Sequence, residues 1–289
     1  MHATKPHSKE KLYYWSRALQ EFATRTEYNW RGRRVCIDLF ASSGIGQNPK
    51  TGELSWGSPL LALHGIDPFD VYIFGDLDPA RTAALADRVD DTHILPVPAT
   101  RIDLDDPDRM RRARDFKGLD VPGPKCAVLT GDANKAIAIV KLMMPRFPGR
   151  RLALTMLDPY GPSFQWLSLE KRTLHERMDL LIFFPEDVDL ERNWRQTDRI
   201  NPYMPPHSDW RRAVRAAPRN RGRVLRELYE QGLKDQLSMK VAAPKAIRAH
   251  GREIYKLLYA NRHETGLEVW THAVRVAPNG QLEFPLGLV

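Results

Sequence analysis

Short apolar runs alternate with stretches of helical periodicity along most of the chain. Leu12, Trp15, Leu19 and Phe22 recur at helical spacing and predict an amphipathic helix over residues 8–26. Seven apolar runs after it predict strands at Arg34–Phe40, Val71–Phe74, Lys125–Thr130, Arg151–Leu157, Leu180–Phe184, Ile254–Tyr259 and Glu268–Val276. Helical patterns separate most of the first five runs, an alternation that is typical of a parallel sheet covered on both faces. The pattern predicts an α/β fold with a mostly parallel, seven-stranded sheet.

Residues 187–250 interrupt this alternation with Arg-rich sequence that contains prolines and helical patterns. We interpret the segment as a helical insertion between the fifth and sixth strands. Residues 1–30 are predicted to form a helical extension before the first strand. The sequence therefore predicts a single domain over residues 1–289 that carries this extension and this insertion.

Composition narrows the class of protein. Of the 289 residues, 42% are hydrophobic, which is enough for a sizeable core. The 44 Lys+Arg against 36 Asp+Glu give a net charge of +8, which favours an anionic partner.

No apolar run or signal region indicates a membrane span or export, so a cytoplasmic protein is expected. Cys36 and Cys126 each lie inside a predicted strand, which indicates buried thiols in a reducing compartment and no Cys-based metal chemistry. No metal site is predicted.

Four of the predicted strands carry an acidic residue at or just after their carboxyl end. These residues are Asp38 with the small-residue turn Ala41–Gly46, Asp76, Asp132 and Asp158. In open α/β sheets, ligands bind outside the carboxyl ends of the strands, and an acid after the second strand commonly holds the two hydroxyls of a ribose. These positions indicate a nucleoside-containing ligand. Asp76 and Asp132 could each instead cap the following helix, and Ser58 is placed to cap the helix that Pro59 opens.

Several of these segments together resemble a known family. Ile37–Ala41 through Gly44, Gly57–Leu63, Asp76–Pro79, Leu157–Gly161 and Leu257–His263 are similar, in this order, to segments of the three-Cys-motif partner protein family, TcmP. The resemblance implies a Rossmann-like class I methyltransferase fold, S-adenosylmethionine as cofactor, and a three-Cys-motif radical-SAM-like protein as partner. The family usually has Asp-Leu-Phe-Ala-Gly-Pro-Gly, whereas Ser42 and Ser43 replace the first Gly and the Pro here.

The resemblance also implies roles for individual residues. Asp76 would hold the ribose hydroxyls, and Asp132 would lie beside the adenine. The full set of implied cofactor-binding residues is Asp38, Phe40, Ala41, Ser42, Gly44, Ser58, Asp76, Leu77, Asp132, Ala133 and Asp158. Asp158-Pro159-Tyr160-Gly161 is similar to Asp-Pro-Pro-Tyr of amino-methyltransferases and to Asp-Pro-Phe-Gly of tRNA guanine-N2 methyltransferases. Asp158, Pro159 and Tyr160 are therefore the predicted catalytic residues, which would orient an amino group towards the methyl.

Two arginine clusters have different sequence surroundings. Arg211, Arg212, Arg215, Arg219, Arg221 and Arg223 have no acidic residue between them, and they lie near Trp194, Tyr203 and Trp210. This combination predicts a cationic nucleic-acid groove with stacking platforms, and the alternative is a solvated helix whose Trp packs inward. Asp residues surround Arg109, Arg111, Arg112 and Arg114, so that cluster predicts a self-neutralised surface.

The sequence therefore predicts an S-adenosylmethionine-dependent methyltransferase that N-methylates a base of DNA or RNA. Two alternatives remain. One is a catalytically silent partner protein that binds nucleic acid or a three-Cys-motif protein, because Ser42 and Ser43 replace the usual residues. The other is a small-molecule methyltransferase, for which the basic insertion is incidental.

Overall fold

The computed structural model describes residues 2–3, 6–30, 32–65, 67–144, 151–173, 177–249 and 251–281. The chain divides into two compact units, Met1–Met156 and Leu157–Val289. None of the helices in these described ranges is long and apolar enough to cross a membrane.

The first unit contains eight strands and five helices within its described residues, counting β8, which ends at the boundary. The strands are β1 (His2–Ala3), β2 (Arg33–Asp38), β3 (Ile45–Gln47), β4 (Leu54–Trp56), β5 (Val71–Asp76), β6 (Thr100–Asp103), β7 (Lys125–Thr130) and β8 (Arg151–Leu157). The helices are α1 (Pro6–Asn29), α2 (Ser58–Leu63), α3 (Pro79–Asp91), α4 (Arg109–Gly118) and α5 (Ala133–Met143).

Five parallel strands form the sheet of this unit, in the order β8–β2–β5–β7–β6. The chain moves outward from β2 to β5 and then to the edge strand β6, places β7 between β5 and β6, and returns to the other side of β2 with β8. Counting β2, β5, β7 and β8 as first to fourth, the order is third, second, first, fourth, which is that of nucleotide-binding α/β sheets. The point where the order reverses lies between β2 and β8, where Asp38 is in register with Met156.

A small three-stranded sheet lies outside this main sheet. The strands β3 and β4 form an antiparallel hairpin, and β1 pairs in parallel with β3.

Burial explains why these segments form their elements. Two rows of side chains on α1 are buried at a spacing of four residues, Tyr14–Ala18–Phe22 and Trp15–Leu19–Ala23. The helix predicted over 8–26 is confirmed and extends over Pro6–Asn29. Cys36 and Cys126 are buried free thiols inside strands, as predicted, and burial raises the pKa of both.

The second unit is mostly helical between its strands. Its strands are β9 (Met178–Phe184), β10 (Lys240–Val241), β11 (Lys245–Ala249) and β12 (Arg252–Asn261). A π-helical turn (Glu186–Leu190) precedes α7 (Glu191–Asn193), and the other helices are α6 (Trp166–Thr173), α8 (Thr197–Tyr203), α9 (Trp210–Ala216), α10 (Arg221–Asp235) and α11 (Glu264–Ala273). The strand β12 pairs antiparallel with β9, β10 and β11.

Two sequence predictions about the strands need correction. Glu268–Val276 is not a strand, because Gly266, Val269, Trp270 and Ala273 are buried at helical spacing on α11. Apart from the small sheet, the described residues contain nine strands instead of seven, since β6, β10 and β11 were not predicted. Because β10 and β11 lie within 187–250, the predicted insertion is helical only as far as Asp235. The other six predicted strands are confirmed.

Candidate cofactor site at the strand ends

Backbone hydrogen bonds tie together the carboxyl ends of β2, β5 and β7. Ala41 N donates to Gly75 O over 2.8 Å, and Gly131 N donates to Asp76 O over 3.0 Å. Ser42 N donates to a carboxylate oxygen of Asp76, also over 3.0 Å. The predicted turn after β2 is therefore joined directly to the acid after β5.

Asp38, at the end of β2, is completely buried. Its Oδ1 accepts a hydrogen bond from Phe40 N (2.9 Å), and its Oδ2 accepts one from the Ser58 hydroxyl (2.6 Å). Phe40 and Ser58, both predicted to bind the cofactor, thus form hydrogen bonds to the Asp38 carboxylate of the protein itself. Ser58 is also not a helix cap as predicted, because Gly57 is the N-cap of α2 and no side chain bonds there.

Asp76 is almost fully buried at the end of β5. Its Oδ1 accepts from Asp78 N (3.0 Å), and Oδ2 accepts from Ser42 N. The Arg81 guanidinium lies 3.9 Å from Oδ1. Asp76 does not cap α3, because Asp78 performs that role. A carboxylate has about four acceptor sites, so Asp76 retains capacity for the hydroxyls of a ligand.

The turn after β2 has an unusual backbone. Ser42 has φ 54° and Gly44 has φ 77°, both in the left-handed region that disfavours side chains. A Cβ atom on Gly44 would lie 2.8 Å from a methyl carbon of Leu85. The hydroxyl of Ser42 is buried and has no hydrogen-bond partner in the described part of the chain. A buried polar atom of this kind is costly unless a ligand or water satisfies it.

Sequence reasoning missed one residue that holds this turn. A terminal nitrogen of Arg88, on α3, donates to Ser43 O over 2.6 Å. Arg88 is 45 positions from Ser43, and no local pattern distinguishes it from other helical arginines.

Asp132 fits the alternative interpretation that the sequence left open. It is the N-cap of α5 and accepts from Asn134 N and Lys135 N, over 2.7 Å and 3.3 Å. Ala133 is the first residue of that helix. Leu77, beside Asp76, is 71% exposed and offers an apolar surface next to the acid.

The predicted catalytic residues follow β8 in the second unit. Pro159 is buried, whereas Tyr160 is 64% exposed. Gly161 has φ 67°, and a Cβ atom there would overlap the carboxylate of Asp189, which forms an ion pair with Arg199 (2.9 Å). The fourth residue of Asp158-Pro159-Tyr160-Gly161 therefore has no room for a side chain.

The two arginine clusters differ as predicted, with corrections. Arg111 pairs with Asp108 and Asp115, and Arg112 pairs with Asp106, so two of the four arginines of the first cluster are neutralised, whereas Arg109 and Arg114 have no carboxylate partner among the described residues. In the second unit, the exposed arginines without a carboxylate partner among the described residues include Arg211, Arg212, Arg215 and Arg219. We call these four the unpaired arginines.

The other two predicted nucleic-acid contacts are engaged within the protein. Arg223 pairs with Glu227 (2.8 Å), and Arg221 lies 4.7 Å from the ring of Trp194 and 4.0 Å from Glu191. The rings of Tyr203 and Trp210 are buried, so the prediction that they form stacking platforms is wrong. Their apolar surface contributes to the core of the second unit.

Comparison with known proteins gives limited similarity. No family model matches the chain, so the resemblance to the TcmP family is not supported, and no curated protein matches. Protein LPL1258 from Legionella pneumophila, of family DUF519, is 9% identical at a TM-score of 0.42, covering 89% of this chain and 88% of its own. Magnesium protoporphyrin IX methyltransferase (ChlM) from Synechocystis PCC 6803, solved with bound SAH, is 10% identical at a TM-score of 0.40, covering 91% and 90%. Both TM-scores are below 0.5, so neither similarity carries a functional conclusion.

Proposed function

We propose that the protein is an S-adenosylmethionine-dependent methyltransferase. The observation that carries the proposal is the buried Asp76 carboxylate, bonded to the Ser42 amide across the ends of β5 and β2. In a sheet of this strand order, an acid in that position is suited to accept the two hydroxyls of a ribose.

The residues present fit the chemical groups of this cofactor. Asp76 has acceptor capacity for the ribose, and the exposed Leu77 side chain offers apolar contact to the adenine. The unsatisfied hydroxyl of Ser42 is available to the polar amino-acid end. When bound, the cofactor supplies a methyl group on a positively charged sulfonium.

The path of the backbone after the turn distinguishes this ligand from a dinucleotide. A dinucleotide-binding turn leads directly into a helix whose N-terminus meets the pyrophosphate. Here Gly44 leads into the hairpin of β3 and β4 instead.

For the methyl acceptor, we propose an amino nitrogen of a nucleic-acid base. Asp158 and the carbonyl groups of its turn would accept hydrogen bonds from the amino group, which orients the nitrogen lone pair. The nitrogen forms a bond to the methyl carbon while the carbon–sulfur bond breaks, and the amino proton is lost to solvent. The exposed Tyr160 ring and the unpaired arginines support a base attached to a polyanion.

Calorimetric titration with S-adenosylmethionine and S-adenosylhomocysteine tests the cofactor. The unaltered protein should bind in the micromolar range, about −8 kcal/mol. Asp76→Asn should weaken binding at least about tenfold, because an amide cannot accept both backbone and ribose hydrogen bonds. Asp91→Asn makes the same change at an exposed position of α3 and should have no effect. Equal binding by all three proteins would refute the site, and absence of binding by the unaltered protein would favour the silent partner.

Methyl transfer tests the acceptor separately. With isotopically labelled methyl donor and pools of RNA and DNA, Asp158→Asn should lose transfer and retain donor affinity. Transfer at the unaltered rate would remove Asp158 from the mechanism, and labelling of small molecules alone would support the small-molecule alternative.

A further inference from the structure

The hairpin of β3 and β4 leaves the cofactor turn and returns to the same point. Gly57 N donates to Gly44 O over 2.7 Å, and Ile45 is in register with Trp56. A Cβ atom on Gly57 would lie 3.1 Å from Gly44 O, so the two glycines pack backbone against backbone. The base of the hairpin is thus fixed to the turn, and Trp56 is one residue from that base.

The ring of Trp56 has one covered face. It stacks on the imidazole of His64 with the ring centroids 4.4 Å apart and the planes inclined by 21°. The Trp56 residue is nevertheless 48% exposed, which leaves the other face of the indole open. Leu54 lies two positions earlier on β4, on the same side of the strand, and is 56% exposed.

Exposed large apolar side chains in the first unit concentrate around the cofactor turn. The described residues of this unit expose five of them, Leu54, Trp56, Leu77, Met110 and Leu119. Three of the five flank the turn, two on the hairpin and one beside Asp76. Exposed apolar surface with polar groups converging on it is typical of a ligand site rather than of a solvated surface.

The two sides of the turn offer different contacts. Asp76 bonds the turn at Ser42 and has the exposed Leu77 beside it, whereas the hairpin leaves the turn at Gly44. If the adenosine of the donor binds beside Asp76, the indole of Trp56 remains available to a second planar ligand. Aromatic rings stack on any nucleobase, because every base has a π face.

We propose that the open face of Trp56 is the stacking platform for the base that accepts the methyl group. This proposal rests on the proposed function, because it assigns the acceptor side of that site. The His64 ring packs against the opposite face of the indole, so the Trp56 side chain is already positioned when the base binds.

The experiment uses the full chain and a short single-stranded oligonucleotide that carries one 2-aminopurine, whose fluorescence falls when it stacks. Anisotropy of an end label reports total binding, and 2-aminopurine quenching reports stacking. Trp56→Ala should lose the quenching and weaken binding by roughly 5- to 100-fold, the range for loss of one stacked base. Trp56→Phe keeps a ring and should restore most of both signals.

Controls separate this proposal from the proposed function. Met110→Ala removes another exposed apolar side chain of the first unit and should leave quenching and affinity unchanged. All variants should bind S-adenosylhomocysteine as the unaltered protein does, since Trp56 is not assigned to the donor. Quenching by Trp56→Ala equal to that of the unaltered protein, or no quenching by the unaltered protein, overturns the platform. Loss of donor binding in the calorimetric titration is the distinct result that overturns the cofactor site.

Discussion

Ser58 illustrates how a single hydroxyl supports the candidate site. Its Oγ donates to Asp38 over 2.6 Å, and both groups are buried. A buried carboxylate needs hydrogen-bond donors from the protein, because burial removes the water molecules that would otherwise solvate it. Ser58 therefore stabilises the negative charge at the end of β2.

Replacing this hydroxyl should destabilise the protein. We expect Ser58→Ala to lower the free energy of unfolding by about 1.5–3 kcal/mol, the usual range for a hydrogen bond to a charged group. Urea denaturation followed by circular dichroism measures it. Ser55→Ala, on the partly exposed hairpin strand β4, is the matched control and should change stability by less than about 0.5 kcal/mol. Equal effects of the two substitutions would contradict the role given to Ser58.

The roles of single residues were only partly predictable from sequence. Asp38 and Asp76 are recognisable because each ends an apolar strand. Ser58 is read as a helix cap because the same residue type serves caps and buried acids, and its partner is 20 positions away. The pairing of Arg223 with Glu227 depends on rotamers that a residue pattern does not specify.

At the scale of elements, α11 shows where periodicity misleads. Glu268–Val276 contains Val269, Trp270 and Thr271, residue types that favour strands, which is why a strand was predicted. The helix forms because Trp270 packs its ring against Tyr259 of β12, with centroids 5.3 Å apart and planes inclined by 8°. Tertiary packing therefore overrides local propensity in this segment. The parallel strands were predictable because continuous apolar runs this long have few alternatives.

Asp179, near the start of β9, is a buried acid in contact with Tyr259. Tyr259 donates to an oxygen of Asp179 over 2.5 Å, and burial raises the pKa of Asp179 to about 7. In the unfolded chain this pKa is about 3.9, so the folded protein binds the extra proton between the two values. Stability should consequently fall as pH rises from about 4 to about 7, and this contribution should level off above the folded pKa.

Asp179→Asn should flatten this dependence, because its amide still accepts from Tyr259 but does not titrate. Urea denaturation at several pH values between about 4 and 8 gives the slope. Asp198→Asn, at an exposed position of α8, should retain the slope of the unaltered protein. A slope that Asp179→Asn leaves unchanged would assign the pH dependence to another group.

At the scale of the whole molecule, the net charge of +8 is unevenly distributed. Carboxylates neutralise Arg101, Arg111 and Arg112 in the first unit. The unpaired arginines of the second unit have no such partner within the described residues. The unpaired arginines therefore keep more of their charge for a polyanion than Arg101, Arg111 and Arg112 do, a distinction that the residue count does not reveal.

This distinction leads to a paired experiment on nucleic-acid binding. Substituting Gln for Arg212, Arg215 and Arg219 should weaken binding and reduce the slope of log K against log salt by about 2–3, if each contacts one phosphate. The same substitution at Arg101, Arg111 and Arg112 removes equal charge and should leave that slope nearly unchanged. Equal slopes for the two triple variants would show that only net charge matters.

The hydrogen bond from Gly57 to Gly44 makes the intervening hairpin an exchangeable module. Because its two ends meet at one point, a change in length at its tip, beyond the residues of β3 that pair with β1, need not shift the turn before it or the helix after it. Under the proposed function, a substitution between Gly44 and Gly57 would change the contacts to the methyl acceptor and leave the contacts of Asp76 unchanged. The residues proposed for specificity would then lie on a different element from those proposed for the donor.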